Sequence, residues 1–185
     1  MNGDFKDDLV SVNTTGIQIG YQVQNGFEYF HIEKSPRVTT DWSICAGDID
    51  ADGFNDLMIA GSGLVSFNYA KDFGNDYQEV IGEGVEAYRS TFVDIDSDGY
   101  LDAFICNPSG QNHSYLNDGN GNLTFDLNLV PSPVGDLGSF SCTWTDYDND
   151  GDLDLHLAKC FIPAQSNLLY NNCLLYTSPS PRDRG

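Results

Sequence analysis

The 185-residue sequence predicts an all-β chain, an incomplete β-propeller built from four-stranded antiparallel blades. Three observations carry that expectation. A nine-residue acidic phrase, D-x-D-x-D-G-x-x-D, occurs three times, beginning at 48, 94 and 146, so that the copies stand 46 and 52 residues apart. Repeats of this length containing several short strands are the mark of propellers and related arrays. Each phrase is flanked by runs rich in aromatic and β-branched residues. Helical periodicity is absent throughout.

The elements follow in order. Ile17 to Val23 alternates with period two, Asn25-Gly26 is a hairpin signal, and Phe27 to Phe30 returns as the partner strand. Trp42-Ser-Ile-Cys and Leu57-Met-Ile-Ala bracket the first acidic phrase. Ser90-Thr-Phe-Val and Ala103-Phe-Ile-Cys bracket the second, and Ser141-Cys-Thr-Trp-Thr and Leu155-His-Leu-Ala the third. Each phrase is therefore placed at the tip of a β-hairpin. Leu64 to Tyr69 and Tyr77 to Ile81 supply two more strands in one unit. His113 to Leu116 and Leu123 to Leu127 supply them in the next, joined by the turn-rich Asn117-Asp-Gly-Asn-Gly-Asn. Asn167 to Asn172 reads as the third strand of a last unit.

The phrases are built from what a calcium ion takes. Ca²⁺ binds six to eight oxygens, and carboxylates at alternate positions of a tight loop converge on one point. The glycine at position six (Gly53, Gly99, Gly151) lets the loop wrap the ion. The expected ligands are Asp48, Asp50, Asp52 and Asp56, then Asp94, Asp96, Asp98 and Asp102, then Asp146, Asp148, Asp150 and Asp154. Phe54, Tyr100 and Asp152 at position seven would lend backbone carbonyls. About three Ca²⁺ ions are expected. An EF-hand is excluded, because it closes with a bidentate Glu at position twelve. That position holds Ile59, Ile105 and Leu157.

These loops, with Ser114-Tyr-Leu-Asn-Asp-Gly-Asn-Gly-Asn-Leu-Thr-Phe, resemble the FG-GAP/VCBS repeat family, known from the propeller of integrin α subunits. Trp144-Thr-Asp-Tyr-Asp-Asn-Asp-Gly-Asp-Leu-Asp-Leu is similar to the repeats of cartilage acidic protein and its bacterial relatives. The resemblance covers residues 2 to about 172. It implies the twelve loop aspartates as calcium ligands and a seven-bladed ring in full-length members, of which this chain would hold about three and a half blades. It implies no single activity, since fold and function separate in such families.

The two ends carry their own expectations. Asn2, Asp4 and Asp8 align with positions three, five and nine of the phrase, so Met1 reads as an internal start, and Phe5 stands where the loop needs glycine. Cys173-Leu-Leu-Tyr-Thr-Ser-Pro-Ser-Pro-Arg resembles the translation of a transposon-end sequencing adapter. The expected organisation is a propeller fragment over 1–172 and an adapter-derived tail, outside any domain, over 173–185.

With 28 acidic and 8 basic residues and a net charge of −20, general nucleic-acid or anionic-membrane binding is excluded. Three bound Ca²⁺ would bring the charge to −14. Sites of this kind, with affinities of about 10⁻⁴ to 10⁻³ M, suit an extracellular or cell-surface setting. Apart from Cys173, Cys45, Cys106, Cys142 and Cys160 leave three disulfide pairings open beside the reading of free buried thiols. Without C-x-x-C, neither zinc nor thioredoxin-type chemistry is indicated. His31, His113 and His156 are isolated, and no G-x-S-x-G, phosphate loop or H-E-x-x-H occurs, so no catalytic residue is expected. Tyr21, Tyr29, Phe30, Tyr69 and Tyr77 are either propeller core or a sugar- or protein-binding face. No apolar run reaches the length of a membrane span. The function expected is a calcium-binding module acting in extracellular binding or adhesion, its partner a protein or carbohydrate. The alternative is a non-catalytic scaffold domain of a secreted polysaccharide-acting enzyme.

Overall fold

The computed structural model describes residues 6–13, 15–33, 41–61, 63–130, 138–160 and 166–171. These form four antiparallel sheets in chain order. The first contains β1 (Leu9–Asn13), β2 (Gly16–Val23) and β3 (Gly26–Glu33). The second contains β4 (Asp41–Gly47), β5 (Asp56–Gly61), β6 (Val65–Lys71) and β7 (Asp76–Ile81). The third contains β8 (Arg89–Val93), β9 (Asp102–Cys106), β10 (His113–Asn117) and β11 (Leu123–Asp126). The fourth contains β12 (Ser139–Thr145), β13 (Asp154–Lys159) and β14 (Leu168–Tyr170). Every sheet is a simple meander, each strand pairing with its sequence neighbour. The tail over 173–185, and Asn2 and Asp4 of the N-terminal phrase, lie outside the described residues.

The sheets stack face to face in a propeller-like series, with one hydrophobic cluster between each consecutive pair. Ile17, Ile19 and Ile32 meet Leu57, Ile59 and Tyr77 between the first and second sheets. Met58, Val65 and Phe67 meet Ala103, Ile105 and Tyr115 between the second and third. Phe104 and Cys106 meet Leu155 and Leu157 between the third and fourth. This explains the short unbroken apolar runs at β5 and β9. Alternate residues of one strand point to opposite faces, and both faces are covered, so Leu57 and Ile59 serve one cluster while Met58 and Ala60 serve the next. Burying one such side chain fully contributes about 1.5–3 kcal/mol.

The inner strands β4, β8 and β12 lie beside one another, and small residues make their approach close. Ser43 and Ser90 share a hydroxyl hydrogen bond of 2.8 Å across two sheets. A Cβ on Gly47 would stand 2.9 Å from Leu101 and 3.0 Å from the Phe92 ring. The first strand of the second and of the fourth sheet carries a bulge, at Asp41/Ser43 and at Ser139/Ser141. A single 3₁₀ turn, Asp72–Gly74, is the one helical element among the described residues. No helix there is long and apolar enough to cross a membrane.

Candidate metal centres

Each acidic phrase is the hairpin loop between the first two strands of a sheet, closed by the pairs Gly47↔Asp56, Val93↔Asp102 and Thr145↔Asp154. All three tips therefore lie at the same end of the stack. The loops share one internal hydrogen-bond scheme, set by the aspartates.

Position one organises the turn. One carboxylate oxygen of Asp48 accepts the N–H of Asp52 at 3.0 Å and the other that of Gly53 at 2.9 Å. Asp94 does the same for Asp98 and Gly99, and Asp146 for Asp150 and Gly151. Position five holds the exit, as Asp52, Asp98 and Asp150 each accept the N–H of position seven through Oδ1. Position nine fastens the loop to the sheet. Asp56, Asp102 and Asp154 have no exposed surface, and each accepts the position-two N–H, from Ile49, Ile95 and Tyr147. The free oxygen of Asp56 takes the N–H of Ala70 on the third strand at 2.7 Å, and that of Asp102 takes Asn117 N–H at 2.8 Å. Asp8 accepts the N–H of Gln22 in the same way, which places β1 to β3 in register with the second to fourth strands of the later units.

Two backbone positions make the loop possible. Glycine at position six has φ of 93°, 94° and 102°. Position four is also left-handed, with φ of 56° at Ala51, 60° at Ser97 and 62° at Asn149. The pattern rule covers the glycine alone. At position four only Asn149 is a residue type that signals this conformation.

Within this frame the first, third and ninth aspartates of each loop bring one oxygen each within 4.8 Å of one another: Asp48, Asp50 and Asp56; Asp94, Asp96 and Asp102; Asp146, Asp148 and Asp154. Oxygens sharing a Ca²⁺ at 2.3–2.6 Å lie at most about 5 Å apart, so the spacing fits one hard cation per loop. Asp50 adds a sharper sign, since its Oδ1 is buried without any hydrogen-bond partner. A cation would satisfy it. Asp52, Asp98 and Asp150 stand outside these triads, as do Phe54, Tyr100 and Asp152, whose expected contribution is a carbonyl oxygen.

Electrostatics point the same way. Burial pushes the carboxyls of Asp56 and Asp102 up to about 6, against the pull of the two N–H donors each accepts. Asp96 is raised by burial and then by repulsion from Asp98, and Asp152 by burial and then by Asp150. Such loops hold more negative charge than their own donors neutralise. Lys71 reaches Asp50 at 3.4 Å, but this partly exposed pair is worth little.

The first two loops are tied together by a residue that the motif does not include. Asn117, buried at the end of β10, donates its amide both to the Ile49 carbonyl at 2.7 Å and to the Leu101 carbonyl at 2.9 Å. Its Oδ1 accepts the N–H groups of Gly119 and Gly121. The turn after it presses on both loops, since a Cβ on Gly121 would stand 2.6 Å from Asp50 and one on Gly119 would stand 2.6 Å from the Tyr100 ring. Asn117 was visible in the sequence only within a turn signal and the family-like segment around it, with no role of its own.

The remaining singled-out residues scatter. His156 is exposed and far in role from any triad, whereas His113 is buried against Phe125, which lowers its imidazole from the usual value. Tyr77 is core, and Tyr69 and Tyr21 donate to the carbonyls of Gly121 and Gly74. Tyr29 and Phe30 are exposed on β3.

A solved structure of the Photorhabdus luminescens Tc holotoxin pore is similar in its chain path, with TM-score 0.47 and 17% identity, over 86% of this chain and 8% of that one. No curated protein matches the sequence. The model of the FG-GAP-like repeat matches residues 1–59 and 94–157, more than half of the sequence and including all or part of each acidic hairpin. The chain belongs to the FG-GAP-like repeat family.

Proposed function

We propose that this chain is a calcium-stabilised β-propeller module of a secreted or cell-surface protein, acting in extracellular binding or adhesion towards a protein or carbohydrate partner. One observation carries the calcium reading: each of the three loops draws three carboxylates within 4.8 Å, with Asp50 Oδ1 buried and unpartnered in one of them. The aspartates at positions one, three, five and nine and the carbonyls of Phe54, Tyr100 and Asp152 would complete each shell. Bound Ca²⁺ would supply charge neutralisation and cross-linking of the hairpin, and no reacting group is required of it. Carboxylate density at one end of the stack and a net charge of −20 disfavour polyanionic partners.

The test is calorimetric titration of the metal-free chain with Ca²⁺, beside Asp98→Ala. Stoichiometry near three for the parent chain and lower by one for the variant is the expected result. Unchanged stoichiometry in the variant, or no heat in either, would overturn the assignment.

A further inference from the structure

Four cysteines fall among the described residues, in different surroundings. Cys45 on β4 is half-buried beside Ser90, and burial pushes its thiol up to about 12. Cys160 is exposed just beyond β13. Cys106 ends β9 with no exposed surface, and Cys142 is half-buried on β12 of the neighbouring sheet. These last two pack in the same cluster between the third and fourth sheets, where each thiol is the other's polar neighbour. Cys142 also lines a solvent-open cleft of about 330 Å³ between β8 and β12, shared with Arg89, Thr91 and Trp144.

We propose that Cys106 and Cys142 are a redox dithiol that closes into a disulfide between adjacent sheets, with Cys142 as the entry thiol and a small disulfide of the glutathione type as oxidant. The asymmetry of the site sets the order of events. Cys142 faces the cleft, and the thiol of Cys106 and the nearby Arg89 guanidinium both favour its thiolate, outweighing its partial burial. Cys106 is sealed from solvent and held in its thiol form by the same contact. The Cys142 thiolate attacks one sulfur of the small disulfide, forming a mixed disulfide and releasing one thiolate with the electron pair of the broken bond. Cys106 then loses its proton and attacks Cys142 Sγ, and the second small thiolate leaves. The two protein thiols lose two hydrogens and two electrons, and one disulfide oxidant becomes two thiols. The product is a covalent tie between β9 and β12, strands of two adjacent sheets that otherwise meet through packing and a few hydrogen bonds, such as that from Gly138 N–H to the Pro108 carbonyl at 2.8 Å.

The full chain, reduced and then incubated with glutathione disulfide in calcium-containing buffer, tests this by peptide mapping after alkylation. The expected result is a 106–142 cross-link in a protein lighter by two hydrogens, with Tm higher by about 5 °C or more. Cys106→Ser should stop at a glutathione adduct on Cys142, and Cys142→Ser should leave Cys106 unmodified while the chain stays folded. A lasting adduct on Cys142 in the parent chain would overturn the proposal. So would linkage of Cys142 to Cys45, Cys160 or Cys173, or resistance of the folded chain to oxidation. Mapping of the parent chain decides the matter even if a serine variant fails to fold.

Discussion

At the scale of single residues, the position-nine aspartates do two things that pull against each other. Asp56 and Asp102 are needed as buried acceptors for two N–H groups each, yet burial raises both carboxyls to about 6. A folded-state value above the unfolded value of about 4 means that the folded chain binds more protons between those limits. Without metal, stability should therefore increase as pH falls from about 6 towards 4 and be lost as pH rises through 6. With Ca²⁺ bound as proposed the sign should reverse, because carboxylate ligands must be deprotonated to bind. Melting curves between pH 7 and 4.5, in chelator and in millimolar Ca²⁺, should slope in opposite directions; parallel slopes would refute the account. Asp102→Asn should cost about 1–3 kcal/mol even in chelator, since an amide can accept one of the two N–H groups but turns a donor towards the other.

Elements such as the hairpin loop show how far a sequence can be read without coordinates. Its strands were legible because the apolar runs at Leu57–Ala60 and Ala103–Cys106 are buried on both faces. The turn at Gly53 and Gly99 was legible because glycine is the residue that takes φ near 93° freely. The left-handed conformation of Ala51 and Ser97 was not, because neither residue type favours it and the Asp48 and Asp94 carboxylates impose it by holding the N–H groups that follow. The partnership of Cys106 with Cys142 was also hidden, because spacing along the chain says nothing about which strands of neighbouring sheets meet. Ala51→Gly and Gly53→Ala should thus act with opposite signs. The first relieves a left-handed alanine and should stabilise the metal-free chain by up to about 1 kcal/mol. The second meets nothing within 4 Å and should still destabilise by about 1 kcal/mol or more, from backbone conformation alone. Chemical denaturation of both variants would measure the pair. A loss in both would mean that the loop conformation, not the residue, had been misjudged.

Across the whole molecule, cohesion comes from three clusters between sheets, and the like charges within the acidic loops work against it. A ligand that binds only the folded chain at 100 times its dissociation constant adds about 2.7 kcal/mol per site. Chelation should lower Tm by many degrees, and Mg²⁺ should restore it poorly because it demands a tighter octahedron. Asn117→Ala removes the amide shared by two loops and should weaken two of the proposed Ca²⁺ sites at once, a coupling that calorimetry would resolve. The third loop, which that amide does not touch, serves as the internal control. Leu9, Phe27 and Tyr29 are exposed on the first sheet and Leu169 on the fourth, so light scattering should detect association that grows with concentration. A strictly monomeric solution at high concentration would show those faces to be tolerated by water.

The Asn117 amide has a further consequence, for descent by duplication. The clasp from a position-nine aspartate to the third strand closes inside one unit, through a main-chain N–H that any residue but proline can offer, as Ala70 does for Asp56. Copying such a unit therefore copies a self-sufficient fastening, and tandem gene duplication can lengthen the array without inventing anything. The side-chain amide of Asn117 reaches instead into the loop of the preceding unit, at Ile49. What it seeks there is again a main-chain group, a carbonyl that any residue can offer. A copy that inherits this asparagine therefore brings its own fastening to whichever unit precedes it, and an array can lengthen with its neighbouring loops already tied.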